Sequence, residues 1–465
     1  MKKQTFKLAF SLLTITGTLL LSGCLKQAGT SYMVNLEVWG MFDSSGTFEE
    51  IVNQYKSINP FIGEIKFRKF TAEEYRRELI DGLAAGQGPD IFLINNSWMP
   101  TFKDKIVPAP DKTIRELDVK NNFVDVVADD FVEEGKVYGV PLSVDSLALF
   151  YNKDLFNAKG ITAPPATWDE LVEDVKKFTE RDEFNNITRS GVAMGTAYNI
   201  NRSTDILSLL MMQRGGKMSS RAEKKVFLSD PIDVTGESTK PAETALDFYT
   251  KFSNITSDVY TWNPRMHYSI DSFSEGVTAM MLNYSWTMAT VEKKNPKLNF
   301  AIAPVPQIAG KTPITYANYS SFVVAKNKRI ETNKLSSTPI SDQVRIFEAW
   351  EFLKYLTLKT NGTFTVWNAY TGTNKDFGLK EDPAVVYASK TGRPAARKDI
   401  IEKQKDDPIL SVFAEGNLIA RNWYQSDAEA VELILAEAID SINNGSAVLN
   451  EALRVVDIRI NKLPK

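Results

Sequence analysis

The sequence predicts an α/β protein with a doubly wound sheet, and two observations carry that prediction. The first is the order of the periodic segments over residues 34–94, which reads strand, helix, strand, helix, strand. The second is the segment 90–94, which is short and almost wholly apolar, as expected of a strand buried on both faces of a parallel sheet. Right-handed crossovers between such strands place helices on the two faces of the sheet.

The individual elements follow from local patterns. Apolar residues alternate with polar ones over 34–38 and 65–68, which is typical of half-buried strands. Thr47, Thr71 and Thr167 each precede a glutamate by three residues, the spacing of a capping box at the start of a helix. Apolar residues then recur at helical spacing, so we expect an amphipathic helix after each threonine.

Composition excludes several kinds of site. One histidine cannot build a multi-histidine metal cluster, and the formal net charge of −3 gives no basic surface for nucleic acid. The chain also lacks the glycine-rich phosphate loop and the Gly-x-Ser-x-Gly elbow of hydrolases. We therefore expect no cofactor, no metal site and no nucleic-acid partner. Hydrolysis by a pair of carboxylates stays open, although no pair stands out.

The amino-terminal segment predicts export. Lys2, Lys3 and Lys7 precede an apolar run over 8–21, which is too short for a membrane span of about 18 or more residues. Small residues follow, so residues 1–23 are interpreted as a cleaved signal peptide. The ending Leu-Ser-Gly-Cys resembles the bacterial lipobox, which implies that Cys24, the only cysteine of the chain, carries a lipid. Residues 24–32 would then be a tether from the membrane.

Six further segments carry a resemblance to a known family. They lie at 88–91, 137–156, 273–286, 350–356, 392–399 and 443–453. In this order they resemble the extracellular solute-binding proteins of ATP-binding-cassette (ABC) importers, in the sugar-binding cluster that includes maltose-binding protein. The resemblance implies a two-lobed periplasmic-binding-protein-like fold of type II. Each lobe would be a doubly wound sheet with flanking helices, and a hinge would join the lobes around a ligand cleft.

The resemblance also suggests domain boundaries. It places the amino-terminal lobe at 33–141 plus 300–345 and the carboxy-terminal lobe at 146–296 plus 350–465. The segment 214–240 matches nothing in the family, and the segment 326–342 is long and polar.

A sugar presents hydroxyl groups and apolar C–H faces, so its site needs aromatic platforms beside carboxylates and amides. We therefore looked for such residues at strand ends and in loops. The candidates for ligand binding are Asp43, Asn96, Trp98, Asp145, Tyr284, Trp286, Arg393, Trp423 and Tyr424. The alternative for Trp286 is packing beneath the hinge, and packing is equally open for Trp423 and Tyr424. The alternative for Asn96 is an ordinary turn role, and for Arg393 it is bracing a loop. Asp145 lies in an apolar segment, where an unpaired carboxylate would be very costly, so it must be paired or face a polar cleft.

The sequence thus predicts a monomeric lipoprotein on the outer face of the cell membrane, or on the periplasmic face if there are two membranes. It would bind a sugar or oligosaccharide without chemistry and deliver it to the transmembrane subunits of an ABC permease. Two alternatives are a ligand-sensing co-receptor for a membrane kinase and a secreted glycoside hydrolase.

Overall fold

The computed structural model describes residues 32–234, 237–326, 328, 340–368 and 372–464. The predicted signal peptide, Cys24 and the tether up to residue 31 lie outside these residues and stay predictions. Buried side chains of the described residues form two hydrophobic clusters, and each cluster surrounds a five-stranded sheet. We call the two bodies the first lobe and the second lobe.

The sheet of the first lobe confirms the strand order predicted over residues 34–94. From edge to edge its strands are Ile62–Lys69, Val34–Gly40, Ile91–Asn95, Ser320–Ala325 and Ile106–Val107. The first three are parallel, and the fourth is antiparallel to both of its neighbours. The α-helices of this lobe are Ser45–Ile58, Ala72–Ala84, Met99–Phe102, Glu116–Asn122, Asp125–Phe131, Asp342–Thr357, Pro383–Thr391 and Lys398–Gln404, and a short 3-10 helix spans Asn96–Trp98.

The sheet of the second lobe is mixed. From edge to edge its strands are Phe300–Pro304, Ala148–Asn152, Thr278–Asn283, Ile187–Val192 and Glu180–Arg181. The strand Ala148–Asn152 is antiparallel to both neighbours, whereas Ile187–Val192 and Thr278–Asn283 are parallel. The helices of this lobe are Lys153–Ala158, Trp168–Phe178, Ser203–Gln213, Pro241–Thr250, Ser269–Ser274, Thr287–Lys294, Ala428–Asn443 and Leu449–Asn461.

Two of the three predicted capping boxes lie at helix starts. The Thr71 hydroxyl accepts a hydrogen bond from the backbone N–H of Glu74, and Thr167 forms a complete box with Glu170. The box predicted at Thr47 is wrong, because its helix begins two residues earlier, at Ser45. The hydroxyl of a threonine already inside the first turn no longer serves as the cap.

Within the described ranges, the chain crosses between the lobes three times. Three short strands form a crossover sheet, in the order Ala420–Arg421, Thr315–Asn318 and Asp145–Ser146. The helix Ser411–Leu418 lies beside them, with Phe413 in the second core and Ala414 in the first. These segments join the lobes and are where a hinge can bend.

The described residues also form four two-stranded hairpins. They are Val132–Glu133 with Lys136–Val137, Ser219–Ser220 with Lys225–Val226, Ile232–Val234 with Glu237–Thr239, and Thr363–Asn368 with Thr373–Gly378. Two of them fill the segment 214–240 that matched nothing in the family. Across the described ranges, none of the helices has both the length and the apolar character of a membrane span.

The domain boundaries differ from the prediction in two places. Strand Phe300–Pro304 was expected in the first lobe, but it pairs with Ala148–Asn152 in the second sheet. Residues from 350 onward were expected in the second lobe, yet Trp350 and Tyr355 are fully buried in the first core, where Tyr355 packs on Tyr55 with 4.7 Å between ring centroids. Both assignments depend on contacts between residues far apart in sequence, which local patterns do not report.

Candidate functional site

A cleft with a volume of about 960 Å³ opens between the two lobes. One side is lined by residues 41–43, which follow the strand Val34–Gly40, and by residues 95–98, at the end of the parallel strand Ile91–Asn95. Ser285 and Trp286, which follow the strand Thr278–Asn283, line the other side. Ligands of open α/β sheets bind beyond the carboxyl ends of the strands, and this volume is near the upper end of the ~300–1,000 Å³ of small-molecule sites.

The structure brings six of the nine candidate residues to this cleft. They are Asp43, Asn96, Trp98, Asp145, Trp286 and Arg393. Tyr284, Trp423 and Tyr424 are not in its lining, and the first two are almost completely buried.

Two of these three aromatic residues support the cleft wall from behind. The Tyr284 hydroxyl donates to Asp205 at 2.7 Å, and Trp423 Nε1 donates to the Ser208 hydroxyl at 3.3 Å. Both acceptor residues line the cleft. Tyr424 instead lies under the guanidinium of Arg221, 5.9 Å from its ring centroid. The packing alternative therefore describes the surroundings of Trp423, and Tyr284 is buried in a similar supporting position.

Asp145 fixes the turn that carries Trp286. Its carboxylate accepts hydrogen bonds from the Ser285 hydroxyl at 2.6 Å, the Ser285 N–H at 3.0 Å and the Ser146 N–H at 2.9 Å. Burial raises the pKa of Asp145 to about 6, although these hydrogen bonds favour the charged form. The carboxylate thus has hydrogen-bond partners and also lines the cleft, and its contact with a ligand stays a prediction.

Trp286 is the exposed aromatic residue of the second lobe's side of the cleft. Its surface is 45% exposed, and it precedes the helix Thr287–Lys294. The guanidinium of Arg202 lies over its ring, 5.8 Å from the centroid. The cation thus lies near one ring face, and the exposed surface of the residue lines the cleft.

Arg202 and Asp205 are site residues that the sequence analysis missed. Arg202 has a φ of 62°, a left-handed conformation that is uncommon outside glycine, and it precedes the helix Ser203–Gln213. Its Nε is buried and has no hydrogen-bond partner among the described residues. Burial raises the pKa of Asp205, against the opposing charge of Arg202. The available signal was the polar run Ser-Thr-Asp at the start of an otherwise apolar helix.

Asp43 and Arg393 form an ion pair at the first lobe's side of the cleft. The two guanidinium nitrogens of Arg393 lie 3.0 and 3.1 Å from the two carboxylate oxygens of Asp43. The Tyr387 hydroxyl donates to Asp43 at 2.9 Å and accepts from Arg393 at 2.8 Å. This geometry matches the bracing alternative for Arg393. Phe42, 48% exposed, lies under the same guanidinium and presents an aromatic ring to the cleft.

Asn96 has its polar atoms engaged within the protein. Its amide donates to Asp130 at 2.9 Å, and its side-chain oxygen accepts from the Tyr319 N–H at 3.3 Å. The Tyr319 hydroxyl also donates to Asp130, whose pKa burial raises to about 6. Asn96 therefore positions the cleft wall, while Trp98 packs on Phe102 with 5.9 Å between ring centroids. Within the described ranges, no cluster of three or more metal-ligating residues is found.

Comparison with known proteins agrees with this architecture. Residues 43–363 match the family model for bacterial extracellular solute-binding proteins. A putative binding protein of Brucella abortus is 24% identical over 388 residues, which is 82% of this chain and 84% of that protein. The arabinooligosaccharide-binding protein of Bacillus subtilis is 24% identical over 351 residues, covering 72% and 75%.

A solved structure shows the same fold. The cyclic alpha-maltosyl-1,6-maltose binding protein from Arthrobacter globiformis superposes with a TM-score of 0.69 at 19% identity, over 92% of this chain and 98% of that chain. The two lobes, three crossovers and interlobe cleft are those of a type II periplasmic binding protein. The chain belongs to the bacterial extracellular solute-binding protein family.

Proposed function

We propose that the protein is the substrate-binding component of an ABC importer, which captures a sugar or oligosaccharide in the interlobe cleft and delivers it to a membrane permease. The observation that carries the proposal is the half-exposed ring of Trp286 at the cleft, held by the Asp145 turn. Relatives named for arabinooligosaccharides and for a cyclic maltosyl-maltose support the choice of carbohydrate.

The chemistry of the cleft suits a saccharide. The open face of Trp286 can receive the apolar face of a sugar ring, and Phe42 offers a second exposed ring on the opposite lobe. Carboxylates and amides around them accept and donate to hydroxyl groups. The volume of about 960 Å³ has room for more than one sugar ring.

Binding without chemistry is part of the proposal, as are a monomeric state and a lipid anchor at Cys24. Family membership places the chain among extracellular substrate-binding proteins, which supports capture rather than turnover. A sensing co-receptor would use the same cleft, so the partner that recognises the closed form distinguishes the two functions. Co-purification of the permease subunits from membranes supports import, and co-purification of a sensor kinase supports sensing.

The test of ligand class is a thermal-shift screen of the mature chain, from Cys24 onward. A ligand that binds only the folded state raises the melting temperature. We expect a shift with at least one oligosaccharide among malto-, manno- and arabino-oligosaccharides. A shift with a polyamine or a glycerol phosphodiester, and none with any carbohydrate, would show that the substrate class is wrong. Cleavage products after incubation with the oligosaccharides would show an enzyme.

The lipid anchor needs its own test, because it lies outside the described residues. Labelled palmitate is expected to enter the wild-type protein in cells and not the Cys24→Ser variant. The variant should be released from the membrane fraction while keeping its saccharide affinity. An equal label in both proteins would contradict the anchor.

A further inference from the structure

Acidic side chains outnumber basic ones around the cleft. Six carboxylates line it against two guanidinium groups, a formal excess of four negative charges. The carboxylates belong to Asp43, Asp145, Asp205, Glu292, Glu429 and Glu432, and the guanidinium groups to Arg202 and Arg393. The whole chain of 465 residues has a formal net charge of only −3. The negative charge is therefore concentrated at the cleft.

Both cleft arginines already lie beside carboxylates. Arg393 makes two close contacts with Asp43, at 3.0 and 3.1 Å. Arg202 is attracted to Asp205, whose charge offsets the cost of burying the guanidinium. The free Nε–H of Arg202 can donate to a hydroxyl oxygen of a neutral ligand. Neither arginine brings uncompensated positive charge for an anionic ligand.

The cleft carboxylates other than those of Asp43 and Asp205 lie mostly on the second lobe, near Trp286. Glu429 pairs with Arg76 across the cleft, which leaves Glu292 and Glu432 without an ion pair among the described residues. Glu292 lies on the helix Thr287–Lys294 that starts at the tryptophan. Burial raises the pKa of Glu432, and the nearby charge of Asp205 raises it further. Even without a ligand, the carboxylates of Asp205 and Glu432 therefore repel each other at this part of the cleft.

We propose that this acidic cleft selects uncharged saccharides over saccharides that carry carboxylate or phosphate groups. The inference rests on the proposed function, because it describes the ligand of the same site. A neutral sugar donates its hydroxyl protons to the carboxylates. An anionic sugar loses part of its hydration and meets like charges in a medium of lower dielectric than water. Among the described residues that line the cleft, no uncompensated cation is present to receive it.

The test uses three matched pairs of trisaccharides in titration calorimetry on the mature chain. The neutral members are maltotriose, mannotriose and galactotriose, and each anionic member is the corresponding trimer of glucuronate, mannuronate or galacturonate. Every neutral trimer that binds is expected to bind at least roughly tenfold more tightly than its uronate counterpart at low salt. A uronate trimer that binds as tightly as its neutral counterpart would overturn the inference.

A matched pair of variants shows whether the cleft acids cause the selection. In the double variant Glu292→Gln with Glu432→Gln, the neutral-to-uronate affinity ratio is expected to fall by a factor of about three or more. The control is Glu437→Gln, on the same helix as Glu432, because that carboxylate pairs with Arg459 and is not in the cleft lining. An unchanged ratio in the double variant contradicts the inference. If none of the six trimers binds and no carbohydrate shifts the melting temperature in the thermal-shift screen, the proposed function fails, and the inference fails with it.

Discussion

Replacing Trp286 with alanine is expected to weaken saccharide binding by about tenfold. A tryptophan side chain can bury up to about 250 Å², so its 45% exposed fraction offers about 110 Å² to a ligand. A sugar ring stacked on one face of the indole covers part of that exposed surface and buries about half of it. At about 25 cal/mol per Å², this burial contributes about 1.4 kcal/mol, which is a factor of about ten in affinity.

The assay is titration calorimetry with the trisaccharide that binds most tightly. Trp286→Phe keeps a smaller ring and should lose less affinity than Trp286→Ala. The matched control is Trp367→Ala, because Trp367 is a partly exposed tryptophan beside Lys112 and is not in the cleft lining. The saccharide affinity of the Trp367→Ala variant should equal that of the wild-type protein.

The fold should survive the change at Trp286. The ring is half exposed, and Asp145 holds the turn through the backbone and hydroxyl of Ser285, which the substitution leaves in place. The melting temperature without ligand should therefore change little. An affinity of Trp286→Ala within a factor of about two of the wild type would refute the stacking argument, since it leaves less than about 0.4 kcal/mol for the ring.

Three further predictions concern stability and closure. Arg393→Ala leaves Asp43 without its guanidinium partner and should lower the free energy of unfolding in urea by about 1–3 kcal/mol; an unchanged midpoint would contradict the brace. Burial raises the pKa of Asp130 from 3.8 to about 6, so the folded state keeps a proton that the unfolded state releases. Stability should then fall by up to about 3 kcal/mol as the pH rises from about 4 to 6, and Asp130→Asn should flatten that slope in urea titrations across this range. Arg76→Ala removes the interlobe ion pair with Glu429 and should raise the ligand-free radius of gyration in X-ray scattering, while an unchanged radius would deny the pair a role in closure.

The sequence located the first lobe's side of the cleft because strand patterns are local. The alternation over 34–38 and the apolar segment 90–94 predict two neighbouring parallel strands. The ends of parallel strands meet at one edge of a sheet, so the residues that follow them, such as Asp43 and Asn96, reach the same cleft. No comparable pattern predicts Arg202, whose place depends on a left-handed residue between a strand and a helix.

Residue type alone did not distinguish aromatic residues that can stack on a ligand from aromatic residues that support the cleft wall. Tyr284 and Trp286 are two positions apart, but the tyrosine is fully buried and the tryptophan is 45% exposed. The difference comes from the turn after strand Thr278–Asn283, where the tyrosine hydroxyl finds a buried partner in Asp205. Such a partner lies 79 residues away in sequence, and periodicity does not report it. The same limit explains the misplaced lobe boundaries, which depend on long-range packing.

The position of Asp145 has a consequence for hinge motion. On one side of it, Ser143 forms a backbone bridge with Ala395 of the first lobe. Asp145 itself bonds the backbone and hydroxyl of Ser285 in the second lobe. Bending at this crossover must therefore occur at the single residue between Ser143 and Asp145. Bending beyond Asp145 would break its hydrogen bonds to Ser285, and each of these bonds contributes ~1.5–3 kcal/mol. A saccharide-bound structure should superpose residues 145–146 and 284–286 as one rigid group on the second lobe. A shift of the Trp286 turn relative to Asp145 would show that the hinge bends elsewhere.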